Sequence, residues 1–317
     1  MLVDTNMQQE RDDVAQPVPP TPFGLGRTRP QPIDDELVCR EEADEHYFAY
    51  GDVAQLWKRE MKSTGRLIAI KGFRTTTTQG VGNINHKFEV ALHGLVQSWQ
   101  KLDHQNVMPC LGVTLGFGHI ASLVMPMCPN GSINQHIEEN PNANKLALLS
   151  QVAGGIAYLH SRGIVHGKIC GRNIVIAPNG RPLITDTGLT QIIQAQEGIF
   201  PWGVPSEVRW MAPELFASEL DDACTTSSDV WALAMTILEV MSGHIPYYLH
   251  PVAHAAGVAI MKGVLPEWPD DESVSADLWG ALNMLWIGNP ESRPCASFVQ
   301  WQLDGLRNDT LYHLYKL

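Results

Sequence analysis

The chain opens on a stretch with no apolar rhythm and acquires one near residue 40. Residues 1 to about 35 are polar and punctuated by Pro17, Pro19, Pro20, Pro22, Pro30 and Pro32, which predicts a flexible tail. Pro17–Pro20 and Pro19–Pro22 fit the P-x-x-P spacing that polyproline-binding modules take, but so short a match reads better as a solvated linker. Beyond it, Tyr47–Trp57 and Arg66–Phe73 read as extended strands, the second dense in apolar and β-branched residues. Across 84–102 the apolar positions Phe88, Leu92, Leu95, Val96, Trp99 and Leu102 recur at helical spacing. Two short apolar runs follow, Leu111–Phe117 and His119–Met125, divided by Gly118 as in a hairpin.

After Pro126 the long segments turn helical, most clearly at 144–161 and 227–242, less so at 275–287 and 295–306. Strands first and helices afterwards predict an α+β chain of two lobes, with a small β-rich N-lobe at about 40–125 and a larger α-helical C-lobe at about 128–307. The domain limits are then 36 and 307, leaving 308–317 as a C-terminal extension. A ligand is expected in the cleft between the lobes. No internal repeat is visible.

Composition narrows the function classes. With 44% hydrophobic and 18% charged residues among 317, the chain is globular and long enough to bury a large core. Its net charge of -12 argues against nucleic acid or an anionic membrane as partner, since both attract basic surfaces, and leaves protein partners as the expectation. No run is long enough to span a bilayer, and Asp4, Gln8, Gln9, Glu10 and Arg11 interrupt any apolar signal core. Cys39, Cys110, Cys128, Cys170, Cys224 and Cys295 are scattered without a C-x-x-C pair, which points to reduced thiols and a cytoplasmic or nuclear address.

Four segments, in order, carry candidate chemistry: Ile68-Ala-Ile-Lys71, Val165-His-Gly-Lys-Ile-Cys-Gly-Arg-Asn173, Thr185-Asp-Thr-Gly188, and Trp210-Met-Ala-Pro-Glu214 followed by Ser228-Asp-Val-Trp-Ala-Leu233. Together they resemble the protein-kinase family, whose strand V-A-I-K, catalytic loop H-R-D-L-x-x-x-N, D-F-G and A-P-E stand in this order. Pro290-Glu-Ser-Arg-Pro294 closes the domain in the same manner, and Arg209-Trp-Met-Ala-Pro with Trp286…Arg293-Pro leans towards the tyrosine-kinase-like branch. The resemblance implies a two-lobed protein-kinase-like fold over 36–307 with ATP and magnesium as ligands. It places Lys71 on the α- and β-phosphates, Asn173 and Asp186 on the metal, and Gly51 at the end of the phosphate loop. Val53, Ala69 and Val175 would enclose adenine, with Met125 as gatekeeper and Met127 and Cys128 as hinge. Glu214 and Arg293 match a buried ion pair, and Asp229 matches a residue that steadies the catalytic loop. Apolar residues serve a plain core equally well, and Asp229 an ordinary helix cap.

The departures concern the chemistry itself. The first two glycine positions of G-x-G-x-x-G hold His46 and Phe48; a side chain there keeps backbone amides away from phosphate. Counting nine residues back from His104, the helix position that normally offers glutamate to Lys71 is Leu95, and Thr187 replaces the phenylalanine of D-F-G. In the catalytic loop the arginine is Gly167, the aspartate is Lys168 and the following lysine is Cys170. A lysine near neutral pH is cationic and accepts no proton, and loss of a general base costs roughly 10²–10⁴-fold. Three readings remain: a pseudokinase acting as a regulatory or binding module with weak ATP affinity, a working or weakly active protein kinase with a rearranged site, and a scaffold whose cleft is filled by Phe48 and its neighbours.

Overall fold

The computed structural model describes residues 32–37, 47–75, 82–118, 120–195, 200, 206–217, 224–269 and 273–314, with the backbone alone at 82–85 and 309–314. A five-stranded antiparallel sheet forms the N-lobe: β1 (Ala49–Tyr50), β2 (Ala54–Glu60), β3 (Leu67–Phe73), β4 (Gly112–Thr114) and β5 (Ser122–Pro126), in the order β1-β2-β3-β5-β4. The pleat of β3 separates two tasks. Ile68 and Ile70 are buried with Val124 and Leu37 on one face, while Ala69 and Lys71 turn to the other, paired across β5 with Met125 and Leu123. Helix α1 (Gly82–Trp99) lays Phe88, Leu92, Leu95, Val96 and Trp99 into a second apolar cluster, and the Trp99 indole N–H donates to Met108 O at 2.6 Å.

Three expected limits move. The strand read over Tyr47–Trp57 is a hairpin, because the chain turns at Gly51, whose N–H donates to Ala54 O at 2.9 Å. The expected tail limit at residue 35 falls too late: the Ile33 N–H donates to Val113 O, Asp34 Oδ1 accepts from Thr114 Oγ1 at 2.5 Å and from Leu115 N at 2.8 Å, and Leu37 is buried. The sheet needs this segment to satisfy the edge of β4. Residues 1–31, with their P-x-x-P spacing, lie outside the described residues. At the other end α9 (Ala296–Leu314) runs beyond 307 without a break, so 308–314 continue a helix.

The C-lobe is helical: α2 (Ile133–Glu139), α3 (Lys145–Ser161), α4 (Leu189–Gln194), α5 (Glu214–Ala217), α6 (Thr226–Ser242), α7 (Ala253–Met261), α8 (Ala276–Leu285) and α9. Helix α6 is buried over nearly its whole length. A capping box between Thr225 and Ser228 starts it, and Gly243 at φ 73 ends it in the left-handed region where a side chain is costly. A short hairpin of β6 (Ile174–Ile176) and β7 (Pro182–Ile184) lies under the cleft, with Asn173 just before β6 and Asp186 just after β7. Two residues at the ends of one short hairpin are thus set side by side under the cleft. The chain has a two-lobed protein-kinase fold.

Glu214 and Arg293 do meet. The guanidinium donates to both carboxylate oxygens at 2.6 and 2.7 Å, to Ile287 O at 2.9 Å and to Ser227 O at 3.1 Å. The Arg293 side chain is fully enclosed whereas Glu214 keeps 26% of its surface. Arg293→Ala is therefore expected to cost about 3 kcal/mol, the low end for stranding a buried partner, and to lower the melting temperature by several degrees. A melting temperature unchanged within error would show that the pair anchors nothing.

Candidate nucleotide cleft

The floor of the cleft is held from below by one carboxylate. Asp229, buried in the first turn of α6, accepts from the backbone N–H groups of His166 and Gly167 at 2.8 Å each and contacts His160 Nε2 at 2.9 Å. It is not the helix cap; Thr225 fills that place. His166 Nε2 lies 2.7 Å from Thr185 O, which ties the catalytic loop to the segment carrying Asp186. Burial pushes the His166 imidazole below its ordinary value, so it is neutral near pH 7. Gly167 stands at φ 76, and a Cβ there would sit 3.2 Å from both Cys224 Sγ and Thr190 Cβ. The backbone bend is kept while the space an arginine would need is filled.

Lys71 finds the partner that the sequence left open. Its ammonium donates to Asp186 Oδ2. Asp186 adopts φ 62, a left-handed conformation an aspartate tolerates, and accepts from Thr185 Oγ1 at 3.1 Å. Burial alone would raise its carboxyl, but Lys71 above all, with Lys168, holds it below the ordinary aspartate value. Leu95 offers Lys71 nothing: it is 1% exposed and packs with Leu189 and Ile192 of α4. That short helix directly follows the Asp-Thr-Gly turn, and the sequence reading did not find it. Thr187 is buried in the place of the expected aromatic ring.

Lys168 lies in an ion-pair network that sequence reasoning missed. Its ammonium is 2.9 Å from Glu207 Oε2 and 3.7 Å from Asp52 Oδ2. Arg172 completes the Glu207 contact at 2.7 Å. Ser206 donates to Asp52 Oδ2 through its hydroxyl at 2.7 Å and its N–H at 3.2 Å, and accepts from Arg172 at 2.8 Å. Burial works against the charge on Lys168, but Glu207, Asp52 and Asp186 outweigh it and hold the ammonium above the ordinary lysine value. Asp52 belongs to the turn between β1 and β2, so its carboxylate links the roof of the cleft to the C-lobe. The turn is fixed from behind by Arg74, which donates to Gly51 O at 2.6 Å, to Asp52 O and to the Tyr50 hydroxyl at 2.6 Å. An acid directly after Gly51 was the one readable signal of this arrangement. Phe48 is 47% exposed and does not fill the cleft.

The residues expected around adenine converge. Val53 from the roof, Cys128 after β5 and Val175 from β6 are each partly exposed and pack on the same apolar cluster, with Met125 buried behind them. Ala69 is buried opposite Met125, and the Met127 N–H donates to Leu67 O at 3.1 Å. Asn173 donates to Lys168 O at 2.8 Å, which couples the expected metal ligand to the altered base position.

The model of the family described as protein tyrosine and serine/threonine kinase matches residues 48–303. The chain belongs to that family. A probable serine/threonine-protein kinase of Dictyostelium discoideum is 29% identical over 78% of this chain and 47% of its own length. Mitogen-activated protein kinase kinase kinase 1 of Arabidopsis thaliana is 32% identical over 65% of the chain and 33% of its own. The mitogen-activated protein kinase kinase kinase mkh1 of Cytospora mali is 28% identical over 74% and 13%. The chain thus spans less than half the length of these relatives. No described helix is long and apolar enough to cross a membrane.

Kinases of this family use magnesium and ATP in general, and the fit here is poor. Asp186 is engaged by Lys71, Gly51 spends its N–H on Ala54 O, and Asp52 sets a carboxylate at the roof where phosphate would pass. Among the described residues no cluster of three or more His, Cys, Asp or Glu could hold a metal unaided. Because the folded-state pKa of Asp186 is depressed, its contribution to stability is full above the unfolded value near 3.8 and is lost as pH falls through the lower folded value. The stability difference between the unaltered chain and Asp186→Asn is therefore expected to be largest near neutrality and to shrink on acidification below that value. Chemical denaturation at a series of pH values measures it; a difference independent of pH would mean that the carboxylate is unpaired.

Proposed function

We propose that this chain is a regulatory or binding module built on the protein-kinase fold, which does not transfer phosphate by the family's general-base route and has at most weak affinity for ATP. The observation that carries this reading is the cation at the base position, held by Glu207 and Asp52. A general base must be neutral or anionic, free to accept, and within reach of the hydroxyl. Lys168 is charged and ion-paired with two carboxylates, and the link from Asp52 to Ser206 joins roof and floor beside it. Leu95 and α4 add to this, since the helix that should orient Lys71 is instead sealed against the segment after Asp-Thr-Gly. The elements that hold the fold are kept: Asp229 under the catalytic loop, Glu214 with Arg293, and the α6 core. Such a body presents surfaces to protein partners.

Lys168→Asp alone is expected to give no detectable phosphate transfer. The new carboxylate would face Glu207 and Asp52, and like charges at that range repel. Leu95→Glu alone is also expected to be silent, because it buries a carboxylate in an apolar cluster. Autophosphorylation and transfer to a general protein substrate, with Asp186→Ala to expose contaminating kinase, measure both. Transfer by the unaltered chain that disappears in Asp186→Ala would contradict the reading and make the chain a working kinase.

A further inference from the structure

The poor fit to a magnesium triphosphate has a positive counterpart. Three cations, Lys71, Lys168 and Arg172, stand on the catalytic-loop side of the cleft, and each is paired to a carboxylate of the chain itself, Asp186, Glu207 or Asp52. The charges cancel three against three. A nucleoside triphosphate brings about four negative charges. To be received, it would have to break at least one of these pairs and leave Asp186, Asp52 or Glu207 next to phosphate, uncompensated and partly desolvated. The roof adds no compensation. Arg74 holds the carbonyls of Gly51 and Asp52 from behind, and the Gly51 N–H closes the hairpin turn on Ala54 O. A loop that is to cradle phosphate must present such N–H groups outward.

The apolar side of the cleft is different. Val53 above, Val175 below and Cys128 at the edge are apolar and partly exposed, and they rest on a buried apolar cluster. Nothing charged stands among them. That surface suits a flat, uncharged ring system, which gains from burial without disturbing the ion pairs beyond it.

We propose that the cleft selects an uncharged heteroaromatic ligand of the nucleoside kind over the corresponding nucleotide, and that Asp52 is the residue that determines this preference. The proposal rests on the reading of the chain as a binding module and specifies its ligand class. Asp52 is suited to the role by position: it is carried by the roof next to Gly51, and it closes on Ser206 and Lys168 of the floor. Removing its charge leaves Lys168 with Glu207 alone and frees part of the cation for phosphate.

The test compares adenosine with ATP, each with and without magnesium, on the full chain by titration calorimetry or ligand-induced thermal shift. The unaltered chain is expected to bind adenosine at least as tightly as ATP. Asp52→Asn, an isosteric change on an exposed turn, is expected to tighten ATP about tenfold while leaving adenosine within about twofold. Three results would overturn the proposal: ATP bound much more tightly than adenosine by the unaltered chain, an ATP-to-adenosine ratio unmoved by Asp52→Asn, or no adenosine binding at crystallographic-scale protein concentrations. Each of these leaves the non-catalytic reading standing. Phosphate transfer by the unaltered chain would strike that reading instead, and the affinity ratio would still decide this one.

Discussion

The ion pair between Lys168 and Glu207 sets the character of the whole cleft. A lysine placed in a half-buried site among carboxylates must be compensated or neutralised, and here it is compensated. Glu207 is buried and shared with Arg172, so it serves as a fixed anion for both cations. Asp52 then joins from the other lobe, and with it the roof is tied to the floor. The lysine at the base position therefore comes with a network of charges that joins the two lobes.

The fold tolerates this because its supports lie elsewhere. Asp229 fixes the backbone of the catalytic loop whatever side chain Lys168 carries, since it binds the N–H groups of His166 and Gly167. Glu239, buried in α6, accepts from Gly171 N at 2.9 Å, from Asn134 at 2.7 Å and from the Trp210 indole at 3.0 Å, joining catalytic loop, α2 and the turn before α5. Burial raises its carboxyl above the ordinary value despite these donors. The scaffold and the chemistry are separable, which is the physical basis on which a kinase fold can keep its shape and change its work.

Much of the architecture was legible in the sequence, and for a clear reason. The apolar rhythm of α1, the dense apolar run of β3 and the largely hydrophobic length of α6 are local patterns that report burial directly. Lys71, Asp186, Asn173 and Lys168 were found because they sit in fixed order within short motifs, and the structure brings them to one cleft. What stayed hidden were partners supplied by residues with no motif. Glu207 lies nearly forty positions after Lys168 and meets it through the fold of the C-lobe, whereas Asp52, more than a hundred positions before it, meets it only where the two lobes face each other. Helix α4 was missed because its six residues are too few to show a period. The docking of Ile33 and Asp34 on β4 was missed because polar, proline-flanked sequence reads as linker, whereas the edge strand needed a partner.

The central claim is that the base position holds a permanently charged, engaged ammonium. Its most direct test is the titration of the Lys168 amine itself, followed by nuclear magnetic resonance on isotope-labelled lysine side chains and assigned with Lys168→Met. The account predicts that Lys168 stays protonated through the neutral range and titrates above the ordinary lysine value of 10.5, and that Glu207→Gln lowers that value. A Lys168 amine that titrates at about pH 7, where a catalytic base would be poised, would contradict it.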